Sequence, residues 1–153
     1  MNLSSVSATI TIGMKIFFLL LLAGSMLVSC KKESSSSINL IETADSAAVL
    51  KLKGDFINGP YGNVAGTAKI LLKDSLYQLL LDSSFTSSNG PDLKIYLSKE
   101  IQPINFVNLG SLKSINGSQL YNIPAGVDFV QYKYALIHCQ QYDHLFGSAE
   151  LKP

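Results

Sequence analysis

From residue 49 onward, apolar side chains recur at alternate positions in short runs, and turn-forming residues separate those runs. Leu50 and Leu52 alternate with Lys51 and Lys53. Ala68, Ile70 and Leu72 alternate with Thr67, Lys69 and Lys73, and Leu93, Ile95 and Leu97 with Lys94, Tyr96 and Ser98. Successive side chains of a strand point to opposite faces, so this period of two predicts a sheet with one face buried. Asn58-Gly59-Pro60, Gly62-Asn63, Lys73-Asp74-Ser75, Asn89-Gly90-Pro91-Asp92, Asn116-Gly117 and Pro124-Ala125-Gly126 punctuate the runs. Such turns between short strands predict an all-β domain, an antiparallel β-sandwich or barrel, over residues 49–153. The segment from Ala68 to Asp82 is the strongest hairpin candidate, and no long amphipathic helix interrupts the pattern. A stretch of this length supports one core and is too short for two.

A different pattern precedes the domain. Ile16 to Val28 is an uncharged apolar run, with Lys15 before it and Ser29, Cys30, Lys31 and Lys32 after it. A basic start, an apolar middle and a small-residue exit make a secretory signal peptide over residues 1–29. Crossing a bilayer takes roughly 20 apolar residues, and this run is shorter and carries Gly24 and Ser25 near its centre. Leu27-Val28-Ser29-Cys30 resembles the lipobox of bacterial lipoproteins, in which cleavage before the cysteine follows lipid attachment to its sulfur. Met14-Lys15 is the more natural start of that signal, which leaves residues 1–13 as an upstream extension. After Cys30, Lys31-Lys32-Glu33 and Ser34 to Ser37 read as a flexible, Ser-rich tether, and residues 30–48 form the lipidated N-terminus. The expected location is the extracytoplasmic side of the cell membrane or outer membrane, with membrane lipid held through Cys30.

Composition narrows the function. All three methionines and one of the two cysteines lie at or before the cleavage point, so the domain keeps a single thiol, Cys139, and forms no internal disulfide. Without Lys15, eleven lysines face eleven acids, and the chain has no arginine. Nucleic-acid binders carry a basic, usually arginine-rich surface, so no nucleic-acid partner is expected. No Gly-x-Ser-x-Gly elbow, phosphate-cradling Gly-rich loop or His-Glu-x-x-His helix is present, so neither hydrolase nor transferase chemistry has a visible home.

One cluster has chemical character. His138-Cys139-Gln140-Gln141-Tyr142-Asp143-His144 places a thiol and two imidazoles within seven residues. Cysteine and histidine ligate metals and haem, and an imidazole can activate a thiol. On a strand from Tyr134 to Cys139, however, Tyr134, Leu136 and His138 share one face and Ala135, Ile137 and Cys139 the other, so His138 and Cys139 diverge. An uninterrupted strand would carry His144 about 16 Å beyond Cys139, so only a turn at Gln141 to Asp143 brings the two together. The plain alternative is a buried cysteine acting as a small hydrophobe beside two surface histidines.

Several segments, taken in order, carry a resemblance. They are Gly54-Asp55-Phe56, Gly66-Thr67-Ala68-Lys69-Ile70, Phe85 with Asn89-Gly90-Pro91-Asp92-Leu93-Lys94-Ile95-Tyr96-Leu97, and Leu109-Gly110-Ser111-Leu112-Lys113. Gly117-Ser118-Gln119-Leu120-Tyr121-Asn122-Ile123-Pro124 follows, then Ala135-Leu136-Ile137-His138-Cys139 through Phe146-Gly147-Ser148-Ala149-Glu150-Leu151. The ordered set resembles the electron-transfer DM-thirteen domain, a module found beside DOMON domains in extracellular proteins. The resemblance implies a β-sandwich-like fold, a characteristic cysteine matched by Cys139, and a redox role through a free thiol or a bound group such as haem. Family members commonly carry an aromatic residue just before that cysteine. His138 stands there in this chain, which opens the position to a ligand.

Two roles follow. In one, the protein is a redox or electron-transfer module in which Cys139 is the redox group or cofactor ligand, supported by His138 or His144, with haem or copper as candidate cofactors and an envelope redox partner. In the other, it binds or scaffolds a surface protein, takes no cofactor, and Cys139 packs. The anchor is separately testable: Cys30→Ala should release the full-length protein from the membrane fraction and abolish the lipid mass increment, and unchanged membrane association in that variant would contradict the lipidation.

Overall fold

The structure, a computed structural model, describes residues 36–153. The expected signal peptide, Cys30 and the first part of the expected tether lie outside the described residues. Among the described residues there are eleven strands and no helix. In chain order they are β1 Ser36–Ile41, β2 Val49–Asn58, β3 Val64–Ala65, β4 Thr67–Lys73, β5 Leu76–Leu81, β6 Thr86–Ser87, β7 Leu93–Ser98, β8 Phe106–Ser111, β9 Ser114–Asn122, β10 Tyr134–Cys139 and β11 His144–Glu150.

Hydrogen bonding joins them in the order β3-β6-β9-β5-β4-β2-β11-β10-β7-β8, with β1 added beside β9. Every pairing is antiparallel except β1 with β9. The path does not close into a barrel, yet both ends serve one core. Val64 of β3 packs beside β11, Leu112 N–H donates to the Leu93 carbonyl at 2.8 Å, and side chains from Phe56 to Leu151 join a single apolar cluster. The sheet is thus folded over itself as a sandwich whose halves share the long strand β2, in line with the all-β expectation.

The strongest hairpin of the sequence forms as expected. β4 and β5 pair with Lys73 opposite Leu76, leaving a two-residue loop. Asp74 and Ser75 both take left-handed backbone, at φ 47° and 65°. That conformation at both loop positions suits the right-handed twist of the flanking strands. Alternation also holds on β7, where Leu93, Ile95 and Leu97 enter the core. The expectation of a single buried face does not hold there, because Tyr96 and Ser98 are buried as well. Tyr96 joins Leu136 and Leu145 in a second, smaller cluster on the outer side of the sheet and stacks on Phe106 at 4.3 Å.

A strand also lies ahead of residue 49. Ser36–Ile41, expected as tether, runs parallel to β9, and the Glu42 carboxylate accepts bonds from Leu120 N–H at 2.7 Å and Lys113 Nζ at 2.8 Å. The sequence pattern missed this strand because Ile38 and Ile41 remain about three-quarters exposed, so no buried face imposes a period on a serine-rich run. At Asn89-Gly90-Pro91-Asp92, Asn89 Oδ1 accepts the Gly90 N–H at 2.9 Å, and the Asp92 carboxylate pairs with Lys94 at 2.9 Å.

The hairpin loop gives a stability test. L-residues in left-handed backbone are strained, and glycine removes the strain while adding freedom to the unfolded chain. Ser75→Gly should raise stability by about 0.5–1 kcal/mol in urea melts, whereas a loss would contradict the two-residue left-handed loop.

Candidate functional site: the closing hairpin

β10 and β11 are joined by a tight turn over residues 140–143, in which Asp143 takes φ 53°. The pairing aligns Cys139 with His144, so the turn that the spacing required is present. Directly opposite residues in an antiparallel pair lie on the same face, with Cβ atoms roughly 5 Å apart. The register then shifts: His138 pairs with Leu145 and Ile137 with Gly147, which leaves Phe146 as an extra residue. This bulge sends both Phe146 and Gly147 toward the main core, and Gly147 has to be glycine because a Cβ there would fall 2.6 Å from that of Val64.

Cys139 is a free cysteine with 1% exposure, at the end of β10 and inside the main core with Ala135 and Ile137. Its backbone partner on the other side is Leu93 of β7, and the next residue's N–H, that of Gln140, donates to the Asp92 carbonyl at 2.9 Å. The end of β10 is therefore clamped by two neighbouring strands and a turn. His144 is partly exposed, and its ring lies flat on Tyr61, with centroids 3.7 Å apart and planes 1° from parallel. Tyr61 gets there on the loop after β2, where Gly59 N–H donates to the Phe146 carbonyl at 2.7 Å and Tyr61 N–H to the Leu145 carbonyl at 3.3 Å. Gly59 permits that approach, since a Cβ on it would meet the Leu145 carbonyl oxygen at 2.3 Å.

His138 faces the other way, as the alternation requires. It is 3% exposed and sits in the outer layer against the Tyr96 ring, 5.5 Å between centroids. An aromatic contact thus persists at the position before the cysteine. Both ring nitrogens are buried without an aligned hydrogen bond, and Nε2 lies 3.2 Å from Asp143 Oδ1, within ion-pair range. Burial holds the imidazole below the ordinary histidine range, against the opposing pull of the Asp143 carboxylate.

Cys139 and His144 thus come together on one face, while His138 stands apart on the other. Among the described residues no three His, Cys, Asp or Glu side chains converge on a common point. Two donors on the inner face and one on the outer do not fit a three- or four-ligand copper centre or a pair of axial haem ligands. Tyr61 and Asp143 were not singled out in the sequence. Tyr61 lay between two turn signals, where its ring could have been noticed but its stacking partner, some eighty positions away, could not.

A small, mainly antiparallel β module with one buried free thiol among its described residues is the class that fold and site define. The family profile described as Electron transfer DM13 matches residues 55–151, and the chain belongs to that family. No curated protein and no solved structure matches the chain.

His138 makes the fold sensitive to acid. Burial holds its folded-state pKa below the ordinary histidine value of 6.5, so between that value and the lower folded one the unfolded chain binds more protons. Stability contributed here is present at neutral pH and lost as the pH falls through that window. In urea melts, His138→Phe should lose less stability than the parent between pH of about 7.5 and about 5, and an equal loss would contradict the burial argument.

Proposed function

We propose that the protein is a lipid-anchored, extracytoplasmic redox module in which Cys139 is the redox group and His144 its proton acceptor. Membership of an electron-transfer family supports the redox class. The observation that carries the assignment to these residues is the β10–β11 register, which sets His144 directly opposite the chain's one described thiol. In the step proposed, a one-electron-accepting envelope redox partner takes the electron from sulfur, the S–H proton passes to the His144 imidazole, and Cys139 is left as a thiyl radical until the reverse transfer restores the thiol. Tyr61 holds that imidazole flat and fixes where its edge points. The clamped end of β10 keeps the sulfur from drifting. Delivery from the membrane through Cys30 would set the module beside an envelope redox partner. No step in this reading uses haem or copper.

A second reading has its own observation. At 1% exposure, inside a cluster of aliphatic side chains, Cys139 has the surroundings of a packing residue, and the module would then bind or scaffold a surface protein. The two readings separate on reactivity. Folded full-length protein, titrated with a small thiol reagent across pH, should modify Cys139 at a rate that follows the protonation of one nearby group and loses that dependence in His144→Phe. Reaction only on unfolding, with every activity intact in Cys139→Ser, would leave packing as the role of Cys139.

A further inference from the structure

On the outer face of the sheet, away from Cys139, three lysines stand in one row across three strands. Lys69 of β4 is directly opposite Lys53 of β2, and Lys53 bridges in turn to Lys152, just past the end of β11, through reciprocal backbone bonds of 2.8 Å. Like charges directly opposite one another destabilise a sheet, so such a row needs compensation. The outer two have it: Lys69 Nζ lies 3.2 Å from Asp82 and Lys152 Nζ 2.9 Å from Glu150. Lys53, in the middle, enters no ion pair among the described residues. The nearest acid on its own strand, Asp55, accepts the Thr67 hydroxyl at 2.7 Å instead.

The row lines a cleft of about 620 Å³. Its floor is bare backbone, because β2 and β11 approach so closely at Gly54 that a Cβ there would lie 2.2 Å from the Glu150 carbonyl oxygen. Ile57, 63% exposed, supplies an apolar rim. The carboxylates of Asp55 and Glu150 line the cleft as well, so its three ammonium groups outnumber these two acids, and Lys53 is the ammonium that enters no ion pair. With the apolar rim, that balance has the chemistry of an anion receptor.

We propose that this cleft binds a phosphate-type anion, with Lys53 as the central ligand and Lys69 and Lys152 flanking it. A multiply charged oxyanion set among the three ammonium groups turns the repulsion along the row into attraction, and lysine serves phosphate well as a point charge. The cleft is far larger than an inorganic phosphate, which leaves room for an organic part against Ile57. That part belongs either to a soluble phosphorylated compound or to a phospholipid headgroup. The site is independent of the redox reading of Cys139.

The test uses the full-length protein in neutral detergent. Inorganic phosphate is titrated against chloride at matched ionic strength, with lysine side-chain NMR shifts and the melting temperature as readouts. Saturable shifts at Lys53 and a raised melting temperature are expected. Lys53→Gln should weaken binding by about tenfold or more, as expected for a lost charge-assisted bond, while Lys51→Gln leaves it unchanged. In phosphate-free buffer, Lys53→Gln should melt no lower than the parent, because it removes a repelling charge. A second arm replaces free phosphate with micelles doped with phosphatidic acid. Shifts from the doped micelles alone assign the site to lipid headgroups, and shifts from free phosphate assign it to a soluble anion. No saturable shift in either arm, equal binding by Lys53→Gln, or a marked loss of stability in that variant would overturn the proposal.

Discussion

The register of the β10–β11 hairpin is the constraint on which the rest of the molecule depends. A tight turn at residues 140–143 sets His144 across from Cys139, and one extra residue, Phe146, corrects the alternation two positions later. A one-residue slip in a strand pair exchanges its two faces. Here such a slip would drive His138 into the aliphatic core and turn Cys139 outward. The bulge prevents it by giving Leu145 to the outer cluster and Phe146 to the inner one. The same hairpin lies inside the sheet, between β7 on one side and β2 on the other, so its register is passed to the strands on both sides.

Burial of β10 on both faces follows from that position. Inward, Ala135, Ile137 and Cys139 meet side chains contributed by both halves of the sheet; outward, Leu136 packs with Tyr96 and Leu145, and His138 lies against the Tyr96 ring, on which Phe106 stacks. A buried imidazole without aligned partners is a cost to the fold, since polar groups removed from water usually find hydrogen bonds. The nearby Asp143 carboxylate favours the protonated imidazole and so opposes part of the shift that burial imposes, and left-handed backbone at Asp143 places it there. The turn therefore does two things at once: it returns the chain so that His144 stands opposite the thiol, and it sets a carboxylate beside the histidine on the other face.

Much of this was legible in the sequence because it rests on local rules. Alternation located β4 and β7, the Lys73-Asp74-Ser75 break located the first hairpin, and the divergence of His138 from Cys139 followed from strand geometry alone. What could not be read depends on distant pairings. β1 is an edge strand with exposed isoleucines and leaves no period, and the covering of β7 on its outer face needs Phe106 and His138 to arrive from elsewhere in the chain. The stacking of Tyr61 on His144 depends on backbone bonds between the loop after β2 and the start of β11, a pairing that no local pattern encodes. The lysine row is similar. Each lysine occupies an ordinary outward position on its strand, and only the register of three strands aligns them.

Passage of electrons through Cys139 is tested most directly by a mediated redox titration of the full-length protein. The account predicts a reversible uptake and release of electrons, with a midpoint that moves with pH, that is lost in Cys139→Ser and loses its pH dependence in His144→Phe. No electron uptake in the parent protein, or an undiminished one in Cys139→Ser, would contradict it.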